Sequence, residues 1–206
     1  MPEQGKPAYD REYAQDFSGY YNKLKIFRLV DIQKKKLLAK YFSDKSEDYT
    51  LLDLGCGTGS ITSSFAQNCT VIGIDQNPVL LKIAQKNGLK TIQSEISLIP
   101  LSENSVEAVF MGDVIEHIES RSAILSEVNR VLKKNGMLII ITPNYSSPLW
   151  NIAEKMANFL SGKDLSGHIT PFTKEALFFW VDKYTKLSKI GCINFGMWLF
   201  AVGQKN

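Results

Sequence analysis

Short apolar runs alternate along this chain with segments whose apolar residues recur every three or four positions. TLLDL (50–54), TVIGID (70–75), TIQ (91–93), VEAVFM (106–111) and MLIIIT (137–142) have the length and branching of buried strands. Between them, residues 59–68 read as a helix. A second helix opens at Asn77-Pro78 and runs to about Asn87, with Gly88 at its C-cap. A third, amphipathic, spans 119–134 and ends at Asn135-Gly136. Strands alternating with helices predict an α/β domain built on a parallel, doubly wound sheet.

The flanks differ from this core. Residues 22–42 predict an amphipathic helix, with Leu24, Phe27, Val30, Leu38 and Tyr41 mostly at spacings of three and four. Lys34, Lys35 and Lys36 are expected on its solvated face. SDKSED (43–48) is a linker. After Pro143 the alternation stops for nearly thirty residues, although SPLWNIAEKMANFLS keeps helical spacing through Leu149, Ile152, Met156, Phe159 and Leu160. A helix at 174–183 follows. LSKIGCINFGMWLFAVGQ then predicts two strands joined through Asn194-Phe195-Gly196, a hairpin that sets the last strand antiparallel to its neighbour.

Composition narrows the class. The chain has 206 residues, 44% hydrophobic and 22% charged, which fits a soluble globular domain rather than a disordered chain. A net charge of +3 is too mild to indicate nucleic acid. Three separated cysteines, Cys56, Cys69 and Cys192, predict neither a disulfide framework nor a metal knuckle. No apolar run is long enough to span a bilayer, and MPEQGKPAYDREY lacks the apolar centre of a secretory signal, so a cytoplasmic protein is expected.

The chemistry concentrates after the first strand. In LLDLGCGTGS, Gly55, Gly57 and Gly59 lie between a strand and the next element, where glycine lets a ligand touch backbone. Asp75 ends the second strand, a place from which a carboxylate grips ribose hydroxyls. The spacing is GxGxG, not the GxGxxG of dinucleotide binders. Asp53, two residues before Gly55, repels a pyrophosphate but suits an ammonium or sulfonium ligand.

These residues resemble the class I S-adenosylmethionine-dependent methyltransferases, most closely the type 11 small-molecule group that includes the ubiquinone-biosynthesis O-methyltransferases. The likeness runs from Leu51 to Pro143 through LLDLGCGTG, GIDQNP, IQSEISLIPLSENSVEAVFMGDVIEHI and LKKNGMLIIITPN. It implies a Rossmann-like, doubly wound seven-stranded sheet, mostly parallel with an antiparallel last strand. One domain is expected: an N-terminal helical cap (1–48), a cofactor-binding core (49–143), a lid insertion (144–173), and a C-terminal helix and hairpin (174–206). S-adenosylmethionine is the implied cofactor and a small molecule the implied acceptor. Gly55, Cys56 and Gly57 then pass backbone along its methionine part, and Asp53 helps hold its amino group. Asp75 takes the ribose hydroxyls and Gln76 packs beside the adenine. Glu95, where the family usually has aspartate, faces the adenine amino group, and Ile96 offers its amide to the ring. Met111 and Gly112 lie under the methionine moiety. Cys56 is a small packing residue, not a nucleophile.

Methyl transfer from a sulfonium is an in-line displacement, so the protein's task is to align the acceptor and exclude water. The resemblance places both histidines, His117 and His168, on the acceptor side as candidate general bases. Asp113, Glu116 and His117 form DxxEH, which resembles the ExxEH of metal-holding methyltransferases; the expectation is nonetheless no metal. Tyr9, Tyr13, Phe17, Tyr20, Tyr21, Tyr145, Trp150, Phe159 and Phe172 supply aromatics to the cap and lid. RNA or protein methylation, or an inactive cofactor-binding partner subunit, are the alternatives to a small-molecule enzyme.

Overall fold

A computed structural model describes residues 25–161 and 172–206. Tyr9, Tyr13, Phe17, Tyr20, Tyr21 and His168 lie outside the described residues.

Five apolar segments become strands β1 (Thr50–Leu54), β2 (Thr70–Asp75), β3 (Lys90–Gln93), β4 (Val106–Gly112) and β5 (Leu132–Pro143). The terminal hairpin supplies β6 (Lys186–Ile193) and β7 (Trp198–Gln204). Together they form one seven-stranded sheet in the order β3-β2-β1-β4-β5-β7-β6. β1 pairs in parallel with β2 and β4, as do β2 with β3 and β4 with β5. β7 runs antiparallel to both β5 and β6. The hairpin turn holds Asn194, Phe195 and Gly196 all at positive φ.

Among the described residues five α-helices cover the sheet: α1 (Lys25–Phe42), α2 (Pro78–Lys86), α3 (Arg121–Val131), α4 (Pro148–Ser161) and α5 (Lys174–Tyr184). On one face Ile124, Leu125, Val128, Leu177 and Val181 from α3 and α5 pack against Leu52, Leu54, Val109 and Ile140. On the other, Val30, Leu37, Leu38 and Phe42 of α1 and Ala84 of α2 meet Leu51, Val71, Phe110 and Ile139. Burial on both faces is why the central strands are continuous apolar runs.

α2 follows local rules: Asn77 Oδ1 accepts from the amides of Val79 and Leu80, and Pro78 occupies the first turn. Two expected helices change. Residues 59–68 form only a 3-10 turn at Thr62–Phe65. This stretch is rich in Ser and Thr, poor helix formers, and Thr62 is drawn into the core. The helix expected over 119–134 stops at Val131, and β5 begins at Leu132. There Lys133 pairs with Glu107 on the adjacent β4, while Asn135 takes a left-handed turn inside the strand segment. Pairing with β4 outcompetes the last helical turn.

The lysine run on α1 is also not wholly solvated. Lys34 is 2% exposed. It stands four residues from both Val30 and Leu38, on the buried stripe.

Candidate functional site

The chain passes from β3 across to β4, so β1 and β4 are adjacent strands whose connections leave in opposite directions. Open α/β sheets bind ligands at such a switch point, outside the carboxyl ends of the strands. The glycine loop lies there. The amides of Gly55 and Cys56 both donate to the carbonyl of Ile74, at 2.8 and 3.0 Å, fastening the loop to β2. Gly55 has φ +77, and a Cβ on it would meet Val114 at 2.5 Å. Gly57 has φ +53, yet a Cβ there would meet nothing within 4 Å. Gly55 is therefore glycine for packing, whereas Gly57 borders open space.

Asp75 is oriented by backbone. Its Oδ2 accepts from the Gly57 amide at 2.9 Å and its Oδ1 from the Asn77 amide at 2.8 Å. This ties the loop after β1 to the end of β2 with a carboxylate between them. Asp53 is buried and accepts from the Thr62 hydroxyl. Burial pushes its carboxyl up to about 7, against the Thr62 hydrogen bond and with help from the charge of Asp75. Among the described residues, two acids thus lie beneath the loop with no basic side chain bonded to either, an environment that a cationic group relieves.

The remaining cofactor candidates lie at or just past the carboxyl ends of β1, β2, β3 and β4. Cys56 packs against Gly73, where any Cβ would meet its sulfur at 2.7 Å. Burial, then Asp53 and Asp75, hold its thiol well above the usual range, which agrees with packing. Gln76 is exposed beyond β2, and its carbonyl accepts from Gln93 Nε2 at 3.2 Å. Glu95 is exposed and near Ser97, while Ile96 is half-buried against the core. The Met111 side chain is fully buried in the core, so Met111 presents only backbone at the end of β4. Gly112 is crowded by Phe110, 2.5 Å from a built Cβ.

Beyond β4 the architecture changes. Asp113 takes a left-handed backbone, φ +54, unusual for a residue other than glycine. Its carboxylate pairs with Lys34 of α1, and its Oδ1 accepts from Trp198 Nε1 of β7 at 2.9 Å. The Lys34 ammonium lies 5.3 Å from the Trp198 ring centroid. Trp198 in turn meets Trp150 edge-on at 4.9 Å. Glu116, 0% exposed, follows in a short 3-10 turn (Ile115–His117); its Oε2 accepts from the Thr142 hydroxyl at 2.9 Å and its Oε1 has no partner. Burial first, then the charge of Asp113, pushes the Glu116 carboxyl up to about 8. His117 is half-buried beside it.

Asp113, Glu116 and His117 gather into no three-ligand metal group among the described residues. Lys34 and Trp198 take the Asp113 carboxylate instead. The lid aromatics divide: Phe172 is fully buried, Tyr145 packs on Trp150 and Trp150 on Trp198, and Phe159 is 86% exposed. The sequence reading did not assign Lys34, Thr62, Thr142 or Trp198. Only Lys34 left a signal, its place on the stripe of Val30 and Leu38. Among the described residues no helix is long and apolar enough to cross a membrane.

Residues 52–140 match the type 11 methyltransferase domain family. An uncharacterized protein of Methanocaldococcus jannaschii is 32% identical over 144 residues, covering 69% of this chain and 62% of that one. A ubiquinone biosynthesis O-methyltransferase of Xanthomonas oryzae is 30% identical over 119 residues (54% and 50% of the two chains). A rat thiol S-methyltransferase is 30% identical over 123 residues, with the same coverage. The chain thus spans from half to about three fifths of the length of these curated relatives. In structure it resembles a Thermotoga maritima S-adenosylmethionine-dependent methyltransferase described as a possible histamine N-methyltransferase. That match has a TM-score of 0.75, covers 95% and 97% of the two chains at 18% identity, and so speaks for the fold. Motifs, strand order and these matches agree: residues 52–140 carry a methyltransferase domain of the type 11 kind, set on the fold of the S-adenosylmethionine-dependent methyltransferases.

Proposed function

We propose that this protein transfers a methyl group from S-adenosylmethionine to an oxygen or nitrogen of a small-molecule acceptor. The observation that carries the reading is the Asp75 carboxylate, held by the amides of Gly57 and Asn77 at the mouth of a loop whose Gly57 borders open space. The donor set fits the cofactor. Asp75 faces ribose hydroxyls, Asp53 sits below a place suited to the methionine ammonium, and the Gly55–Gly57 backbone runs alongside. Gln76, Glu95 and the Ile96 amide border the adenine, and the backbone of Met111 and Gly112 floors the methionine end. When bound, the cofactor supplies a methyl on a sulfonium, already activated for displacement.

The chain's own work is then to exclude water, orient the acceptor and take its proton. Tyr145, Trp150 and Trp198 form an aromatic wall beside the end of β4. His117 and His168 are the candidate bases. Kinship with both an O- and an S-methyltransferase leaves sulfur as the second acceptor atom to assay.

Calorimetry tests the cofactor. S-adenosylmethionine and S-adenosylhomocysteine bind at micromolar concentrations and NAD does not; the reverse order overturns the reading. His117→Ala or His168→Ala lowers turnover far more than cofactor affinity, and unchanged turnover in both removes the histidines from the mechanism.

A further inference from the structure

Helix α3 carries two arginines whose guanidinium groups meet different surroundings. At Arg130, Nε and Nη2 donate to the two carboxylate oxygens of Glu127, both at 2.8 Å, the side-on bidentate pairing that a planar guanidinium makes best. Its Nη1 and Nη2 also donate to the carbonyls of Leu101 and Ile99, at 2.8 and 2.9 Å. At Arg121, the first residue of α3, the same two nitrogens are shut off from solvent and meet no acceptor among the described residues. The group instead stacks on Phe172, with Cζ 4.7 Å from the ring centroid. Burial lowers its pKa, yet a guanidinium stays charged at neutral pH.

A charged fork without an acceptor is costly in a folded chain, and such groups concentrate where a ligand completes them. Local structure offers no substitute: Ser120, the N-cap of α3, makes no side-chain capping bond. The position suits an acceptor. α3 is entered from the carboxyl end of β4, so Arg121 stands at the same sheet edge as the glycine loop. Phe172 belongs to that edge too, because its carbonyl accepts from the amide of Tyr145, two residues beyond β5, at 3.1 Å.

We propose that Arg121 binds a carboxylate on the methyl acceptor through the parallel Nε–H and Nη2–H, as Arg130 binds Glu127, with Phe172 stacked on the guanidinium. The inference rests on the methyltransferase reading and narrows its substrate to carboxylic acids. The attraction is strong because the two nitrogens are already shut off from water, where the local dielectric is low. Arg121 is then a specificity determinant that touches the acceptor away from the reacting atom.

The test uses matched acids and methyl esters carrying each acceptor atom: 3,4-dihydroxybenzoate, 3-mercaptopropionate and glycine, each with its ester. Release of S-adenosylhomocysteine is the readout, and binding of that product is measured separately by calorimetry. At least one acid should exceed its ester in kcat/KM by about tenfold or more. Arg121→Gln should bring that ratio to within about twofold, with product affinity unchanged. Arg121→Lys, which keeps the charge but not the fork, should fall between. Equal or better turnover of the esters overturns the proposal. So does a preference that survives Arg121→Gln, a variant that only lowers the melting temperature, or no turnover of any acid by protein that binds the product. Failure to bind the product at all defeats the cofactor reading instead.

Discussion

The two ends of the crevice are built in opposite ways. At the proposed cofactor end, the hydrogen bonds link residues 2, 9 and 18 positions apart: Asp75 to Asn77, Asp53 to Thr62, and Asp75 to Gly57. At the acceptor end they span 26, 79 and 85 positions: Glu116 to Thr142, Asp113 to Lys34, and Asp113 to Trp198. One end is a single strand–loop–strand unit written in one contiguous stretch of sequence. The other exists only after the cap helix, the sheet and the last strand have come together. On the proposed function, cofactor recognition can therefore hold while the acceptor end is rebuilt from distant parts of the chain.

Breaking the long-range end should cost most in stability. Lys34→Met removes the partner of Asp113 and is expected to destabilise by about 2–3 kcal/mol, below the range for a fully buried pair because Asp113 retains solvent contact. Cofactor affinity should change less than twofold. Adding Asp113→Asn should restore part of the loss in urea unfolding; no coupling between the two would show that the pair is not what joins α1 to β4.

At the local end, Gly55→Ala and Gly57→Ala should separate packing from binding. Gly55→Ala forces Val114 to move and should destabilise by about 2 kcal/mol or more. Gly57→Ala carries only the left-handed penalty of about 1 kcal/mol but fills ligand space, so its larger effect should be on cofactor affinity. Equal losses of both kinds in the two variants would erase the distinction.

Two pH effects are smaller and of known sign. The folded-state pKa of Glu116 is raised to about 8, so the wild type loses stability as pH rises from the ordinary carboxylate range towards 8. Glu116→Gln lacks this slope, and its stability relative to wild type should increase over that interval. Asp53, raised to about 7, should give up a proton when a ligand ammonium settles beside it. Cofactor binding near neutral pH should then release protons, read as a dependence of calorimetric heat on buffer ionisation. Asp53→Asn should abolish it.

The fold was largely legible because its rules are local. Apolar runs marked all seven strands, and Asn77-Pro78 marked the start of α2. What sequence could not show was competition. Thr62 bonding to Asp53 left only a 3-10 turn where a helix was expected, and pairing with Glu107 on β4 drew Lys133 into a strand. The tie between the glycine loop and Asp75 joins two stretches that the sequence marked as motifs, for the same reason. Lys34 was misread because a charged side chain on a buried stripe has meaning only once its partner 79 residues away is known.

Trp198 gives this arrangement a consequence in time. During synthesis Lys34 emerges first, then Asp113, and the indole that grips the carboxylate only 85 residues after that. Until β7 slides between β5 and β6, the lysine and aspartate lack their aromatic cover. A ribosome-bound nascent chain therefore holds the whole glycine loop and Asp75 early, yet must wait for this last strand before the contacts around Asp113 are complete.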